Sequence, residues 1–361
     1  MHWTSFVALA LGAPSQALIR FGCSQLVVDR LDPLVNPGME PSPHLHQIIG
    51  GNSFNTSMYK EDHDLAKLST CTSCQPSEDF SNYWTASLFF RARNGTYKRV
   101  PQKGNVGFEG QRGGMTVYYM QASLGVSQPA ILGGWCRGFR MLIGSPTAST
   151  KPEADKYPQL TYTCLQDMNT RYPETKDFPA RPCPAGIMVN LRFPTQSTGS
   201  CWNGVDLDSP DHISHMSYPA HGTFENQGPC PASHPVRVAQ VMYEVIFETR
   251  AFNKQADWPA DGSQPFVWSF GDTTGFGNHG DYVFGWKDDS LQKILDEECY
   301  VQCKTMETQS IEEMNKCSVP RKVNEDVGDD DCELRSASSC SRMLMTTPGI
   351  DAIPGQMMPT A

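Results

Sequence analysis

Apolar residues along this chain come in short runs or in alternation with polar ones, separated by clusters of Gly, Pro, Asn and Ser, while a 3.6-residue period is scarce. Strands are therefore expected in "WTASLFFRA" and "YKRVP", joined by the hairpin signal Asn94-Gly95, and in "GMTVYYMQ", "GFRMLIG", "QLTYTCL", "GIMVNLRF", "VRVAQVMYEVIFE" and "PFVWSFG". So many short strands without intervening helices argue for antiparallel pairing. The expected architecture is mainly β: an antiparallel sandwich of the jelly-roll-like kind, which buries such strands and manages their edges.

A helical period appears late, in "SLQKILDEECYVQC", where Leu291, Ile294, Leu295 and Cys299 share a face and Ser290 can cap the N-terminus. Cys299 and Cys303 would lie one turn apart on this helix. With Cys317 they suggest disulfides that tether a C-terminal extension. From Ser318 the chain turns polar and acidic, so residues 18–317 read as one domain and 318–361 as a largely disordered tail.

Composition places this domain in a compartment. The opening residues carry an apolar run from Phe6 to Leu11 followed by small residues to Ala17, which reads as a secretory signal peptide over residues 1–17. Nothing later reaches the apolar length a bilayer requires, so no membrane span is expected. Thirteen cysteines in 361 residues suit an oxidising, extracellular location. "CTSC" at Cys71 and Cys74 could form a metal knuckle or a redox pair, but no second CxxC accompanies it, and disulfides are the default. N-glycosylation sequons begin at Asn55 and Asn94, in keeping with secretion. A formal charge of -10 repels phosphate backbones and argues against nucleic acid as a partner.

Candidate chemistry lies in histidine and aspartate. In "PHLHQIIGG", His44 and His46 are two apart and leave the same face of an extended chain. "GFGNHGDYVFGW" sets His279 and Asp281 two apart among glycines that let the backbone approach a ligand. The densest polar run, "DLDSPDHISHMSYPAHG", holds Asp206, Asp208, Asp211, His212 and His215; a single helical turn from Pro210 would put the two histidines on one face. Acid–base or metal chemistry and plain loop capping are both open readings of that run. His234, between Ser233 and Pro235, reads more readily as a structural donor. GxSxG, HExxH and nucleotide-binding glycine loops are absent, which argues against serine esterases, zincins and nucleotide enzymes.

At these stretches, together with "RLDPLVNPG", "FSNYW", "CPASHPVRVAQVMYEV" and "DGSQPFVWSFGD", the chain resembles the secreted, largely fungal proteins grouped as domain-of-unknown-function family 1996, from about residue 30 to about 286. The resemblance implies an extracellular fungal protein. It marks His44, His46, Asp206, Asp208, Asp211, His212, His215, His234, His279 and Asp281 as positions of the family pattern without giving any of them a role.

The expected function is action on, or binding to, extracellular or cell-wall polysaccharide. One form is a hydrolase in which Asp206, Asp208, Asp211, Asp281, His212, His215 and His234 serve as acids and bases. A variant places one divalent ion on His44, His46 and one of His212, His215 or His279, with His279 taken as the third ligand and bound water as nucleophile. The rival is a non-catalytic carbohydrate-binding or structural wall protein, with Trp84, Tyr118, Tyr119, Trp202, Trp268 and Trp286 available for stacking on sugars.

Overall fold

The computed structural model describes residues 18–120, 137–167, 169–193, 195–196, 199–220, 229–297, 299–301, 303–325 and 327. The expected signal peptide at 1–17 lies outside these residues, as does the tail beyond 327. Strand accounts for 31% and helix for 10%, so the chain is mainly β.

Two antiparallel sheets carry the architecture. The larger aligns Leu160–Cys164, Ile187–Arg192, Gln240–Phe247, Met115–Met120 and Leu18–Cys23 in that order, with the short Tyr300–Val301 strand running parallel at the edge. The smaller aligns Val27–Asp29, His46–Gly50, Asn82–Ala86, His279–Val283 and Arg140–Gly144. Gln240–Phe247 shows why the larger sheet reads as a continuous apolar run: it lies between two other strands, and every residue in it is buried. Val241, Tyr243, Val245 and Phe247 face the other sheet in the main core, while Ile246 joins Met188 and Leu165 on the reverse face.

The sheets meet face to face. Tyr83, Met141, Ile143 and Tyr282 of the smaller sheet share one core with Phe21, Val117, Tyr119, Val189 and Tyr243 of the larger. Tyr243 Oη donates to the Asp281 carbonyl across the gap at 2.9 Å. A sandwich-like packing of antiparallel sheets is thus in place. The far face of the smaller sheet is covered by a second cluster, including Leu31, Leu34, Phe54, Ile48, Trp84, Leu142 and Val283. This second face carries the histidines.

Several local expectations change. "WTASLFFRA" is two strands, because the chain breaks at Ser87: Asn82–Ala86 stays in the smaller sheet, and Leu88–Arg91 joins a separate three-stranded sheet. The late helix spans only Ser290–Asp296 and its N-cap position is Asp289; Ser290 Oγ donates to the Lys287 carbonyl instead. Cys299 and Cys303 therefore follow the helix and bond to each other. The C-terminal tether is Cys71–Cys317, and Cys74 pairs with Cys23, so both cysteines of "CTSC" are taken up by disulfides rather than by metal. Cys164–Cys183 and Cys201–Cys230 complete five disulfides among the described residues.

Beyond Cys317 the chain stays on the domain. Lys322 N donates to Asp29 Oδ2, Arg30 pairs with Glu325 at 3.0 Å, and Val327 is buried. The polar segment thus packs ten residues past the boundary expected from composition.

Candidate metal centre

His44, His46 and His279 converge. One ring nitrogen from each lies within 4.8 Å of the other two. The sheet register explains how. His46 stands opposite Ala86 on the neighbouring strand, and one step beyond the Thr85–Gly280 pair, Ala86 stands opposite His279. His279 in turn faces Gly144 on the edge strand. Across the sheet the row thus reads His46, Ala86, His279, Gly144, an imidazole alternating with a small residue. His44, just before its strand, completes the set, with its ring 5.6 Å from that of His46 and 5.1 Å from that of His279. The Phe270 ring, 4.7 Å from that of His44, closes one side.

Hydrogen bonding fixes which nitrogens are free. His46 Nδ1–H donates to the Leu31 carbonyl and His279 Nδ1–H to the Gly277 carbonyl, both at 2.9 Å. Each ring is left with its Nε2 lone pair buried and without a protein partner among the described residues, and His44 Nδ1 is in the same state. Backbone carbonyls that lock the tautomer of a ligating imidazole are a recurrent second shell of metal sites. Burial and the neighbouring rings, with Arg30 behind them, push His44 down to about 2 and His46 to about 3. Burial likewise lowers His279. Three neutral imidazoles with inward lone pairs match the donor set that zinc, copper, iron or nickel takes, and three protein ligands leave an open position.

Two carboxyls lie beside the cluster. Asp281 follows His279 by two residues on the same face; it is wholly buried, and neither oxygen has a partner among the described residues. Burial, reinforced by nearby Asp32, pushes its carboxyl well above the usual range. Asp32 accepts the N–H of Leu34 and Val35 and lies within electrostatic range of both His279 and His212. The sequence reading missed Asp32; the signal was in "RLDPL", where an aspartate before proline looks like ordinary turn chemistry.

The Asp206–His215 run behaves differently from the expected helical turn. His212 takes a φ of +56°, which breaks the helix, so it and His215 do not share a face. His215 is buried and donates Nε2–H to the Arg140 carbonyl, with Ser209 Oγ at its Nδ1. Asp211 caps the N–H of Ile213 and Ser214; although burial opposes this, these bonds hold its carboxyl below the usual range. Exposed Asp206 accepts from Asn203 Nδ2. His234 reaches the Ser214 carbonyl with Nε2–H, the structural part expected of it. His212 alone keeps a catalytic geometry: its Nδ1 lies 2.6 Å from Asp208 Oδ1 and both side chains are partly exposed.

The aromatic residues offered for sugar stacking are largely core. Trp84, Trp268, Tyr119 and Trp286 are at most 2% exposed, and Trp202 is 7% exposed. A surface cavity of about 310 Å³, lined in part by Asp64, Lys67, Arg137, Phe284, Trp286 and Lys287, shares no residue with the histidine cluster.

Neither the curated proteins nor the solved structures contain a match to this chain. The family model described as domain of unknown function (DUF1996) matches residues 32–286, a span that includes all three histidines and Asp32. The chain belongs to the DUF1996 family.

Proposed function

We propose that this protein is an extracellular, metal-dependent hydrolase acting on polysaccharide. The observation that carries the reading is the convergence of three buried imidazole nitrogens, each lacking a protein partner among the described residues, within 4.8 Å of one another. Leaving three such acceptors dry and unpaired costs stability at each one, and a shared cation satisfies all three at once. A divalent ion held there by His44, His46 and His279 would supply an activated water near neutral pH and polarise the bond under attack.

The extracellular half of the reading is supported by five disulfides and by the exposure of both sequon asparagines, Asn55 and Asn94. Among the described residues no helix is long and apolar enough to cross a membrane. A fungal source comes from the family resemblance, and polysaccharide as substrate is the expectation carried from the sequence.

The test uses full-length protein purified without a histidine tag. Elemental analysis should find one zinc, copper or similar ion per chain. Reloading depleted protein should restore the release of soluble fragments from a panel of wall polysaccharides. Absence of stoichiometric metal after reloading would sink the metal reading, and metal without product on any glycan would sink the hydrolase reading.

A further inference from the structure

The three imidazoles are enclosed on nearly every side. His46 is wholly buried and His279 is 2% exposed. Leu31 and Gly277, whose carbonyls accept from these two rings, are buried, and so is Gly144 opposite His279. Two rings at the cluster reach solvent: His44 itself and Phe270, each half-buried. Their centroids stand 4.7 Å apart at an interplanar angle of 38°, which is direct ring contact. The Phe270 ring also lies 5.2 Å from that of His279, and the His44 and His279 rings are 5.1 Å apart. Three rings in mutual contact thus close the solvent side of the cluster.

The loop between the Phe266–Trp268 and His279–Val283 strands sets Phe270 there. Gly271, at a φ of +93°, turns the chain directly after it. Asp272 holds the turn, accepting the N–H of Thr274 at 2.7 Å and that of Gly277 at 2.8 Å. Gly277 has to be bare, because a Cβ at that position would stand 2.7 Å from Phe270 Cε2. One glycine therefore seats the Phe270 ring and, through its carbonyl, orients His279. Of the two rings that reach solvent, His44 would be fastened to the ion, whereas Phe270 is held by packing alone.

We propose that Phe270 is the specificity-determining wall of the metal centre and sets the size of the molecule that can join the ion beside His44 and His279. This rests on the metal reading above. With the ring in place a ligand of a few atoms enters and one the size of a sugar ring does not. A sugar unit gains the ion by taking the place of the Phe270 ring against His44.

The experiment uses full-length, tag-free protein loaded with Co2+, whose visible spectrum reports ligands joining the ion, titrated at one pH with azide and with imidazole. Azide is a narrow rod of three atoms and imidazole a flat ring. The wild-type spectrum should respond to azide and much less readily to imidazole. Phe270→Ala should keep one cobalt per chain and bind azide within about twofold of wild type, but bind imidazole roughly 10-fold more tightly or better. Phe270→Leu should move the same way by less, which keeps the test intact if the alanine variant fails to fold. A wild-type spectrum that answers imidazole as readily as azide would overturn the proposal without any variant. So would unchanged imidazole affinity in a folded, cobalt-loaded variant, or equal gains for both ligands, which a merely loosened centre would give. Each of these leaves the metal reading standing. A wild-type chain that takes up no cobalt would end both.

Discussion

His46 and His279 stand on strands separated by a third, with ring centroids 5.9 Å apart and planes at 88° to each other. The strand between them contributes Ala86, 1% exposed, which stands between the two histidines in the cross-sheet row. The spacing of the imidazoles is thus set by sheet register, with a small residue between them in the row. Ala86→Leu should abolish uptake of zinc, read by elemental analysis, while lowering stability by about 1–3 kcal/mol as an overpacked core does. Retained stoichiometric zinc in that variant would contradict this account of the gap.

Removing a ligand should separate binding from folding. A cation that binds only the folded chain raises its melting temperature in a concentration-dependent way. Added zinc should therefore raise the melting temperature of the wild-type chain but leave His46→Ala and His279→Ala unmoved. Equal shifts in all three proteins would place the ion elsewhere.

How much of this was legible beforehand follows from the range of each signal. The pair His44 and His46 shows itself locally, through the two-residue period of a strand, and His279 through its glycine setting. That they meet depends on pairings between segments more than two hundred residues apart, which no local pattern encodes. Asp206, Asp211 and His215 drew attention because polar residues cluster there. Their bonds to nearby backbone and side chains show that the clustering serves the loop. The break at Ser87 was hidden because apolar residues continue through it while the chain changes sheet.

Asp79 gives a pH dependence independent of metal. It is fully buried in the main core, accepts from Tyr83 Oη at 2.6 Å and from Ser81 N at 3.0 Å, and burial pushes its carboxyl up to about 7. An acid whose folded pKa exceeds its unfolded value of about 3.9 binds its proton more tightly when folded. Its contribution is complete below about pH 4 and is lost as pH rises toward 7. Urea midpoints should fall from pH 5 to 8 more steeply in the wild-type chain than in Asp79→Asn. Parallel pH profiles would show that the buried acid is not the cause.

The tether at Cys71–Cys317 closes a loop of 246 residues. The double variant Cys71→Ser/Cys317→Ser leaves no unpaired thiol at either position and should lose about 2–5 kcal/mol in urea unfolding. A change below about 1 kcal/mol would mean that the C-terminal segment is held by its noncovalent contacts alone.

Arg30 is wholly buried, donates Nη1 to the Pro43 carbonyl beside His44, and takes Glu325 as its ion partner. Glu325→Ala should cost about 3 kcal/mol or somewhat less, since one buried charge loses its counterpart. The same variant tested for zinc uptake shows whether loss of that support reaches the histidines. Unchanged stability would mean that Arg30 is satisfied without Glu325.

Glu325 also bears on where the folding unit begins and ends. The family-matched span of 32–286 contains every candidate ligand, yet the Leu18–Cys23 strand lies wholly outside it, pairing with Met115–Met120 and supplying Phe21 to the main core. Two disulfides, Cys23–Cys74 and Cys71–Cys317, cross its borders, and the Arg30–Glu325 pair joins the two flanking segments that lie outside it. A recombinant fragment trimmed to the matched residues would keep all three histidines and discard the strand and staples that hold their sheet in place. A piece running from Leu18 to Val327 would retain the strand, both disulfides and the Arg30–Glu325 pair.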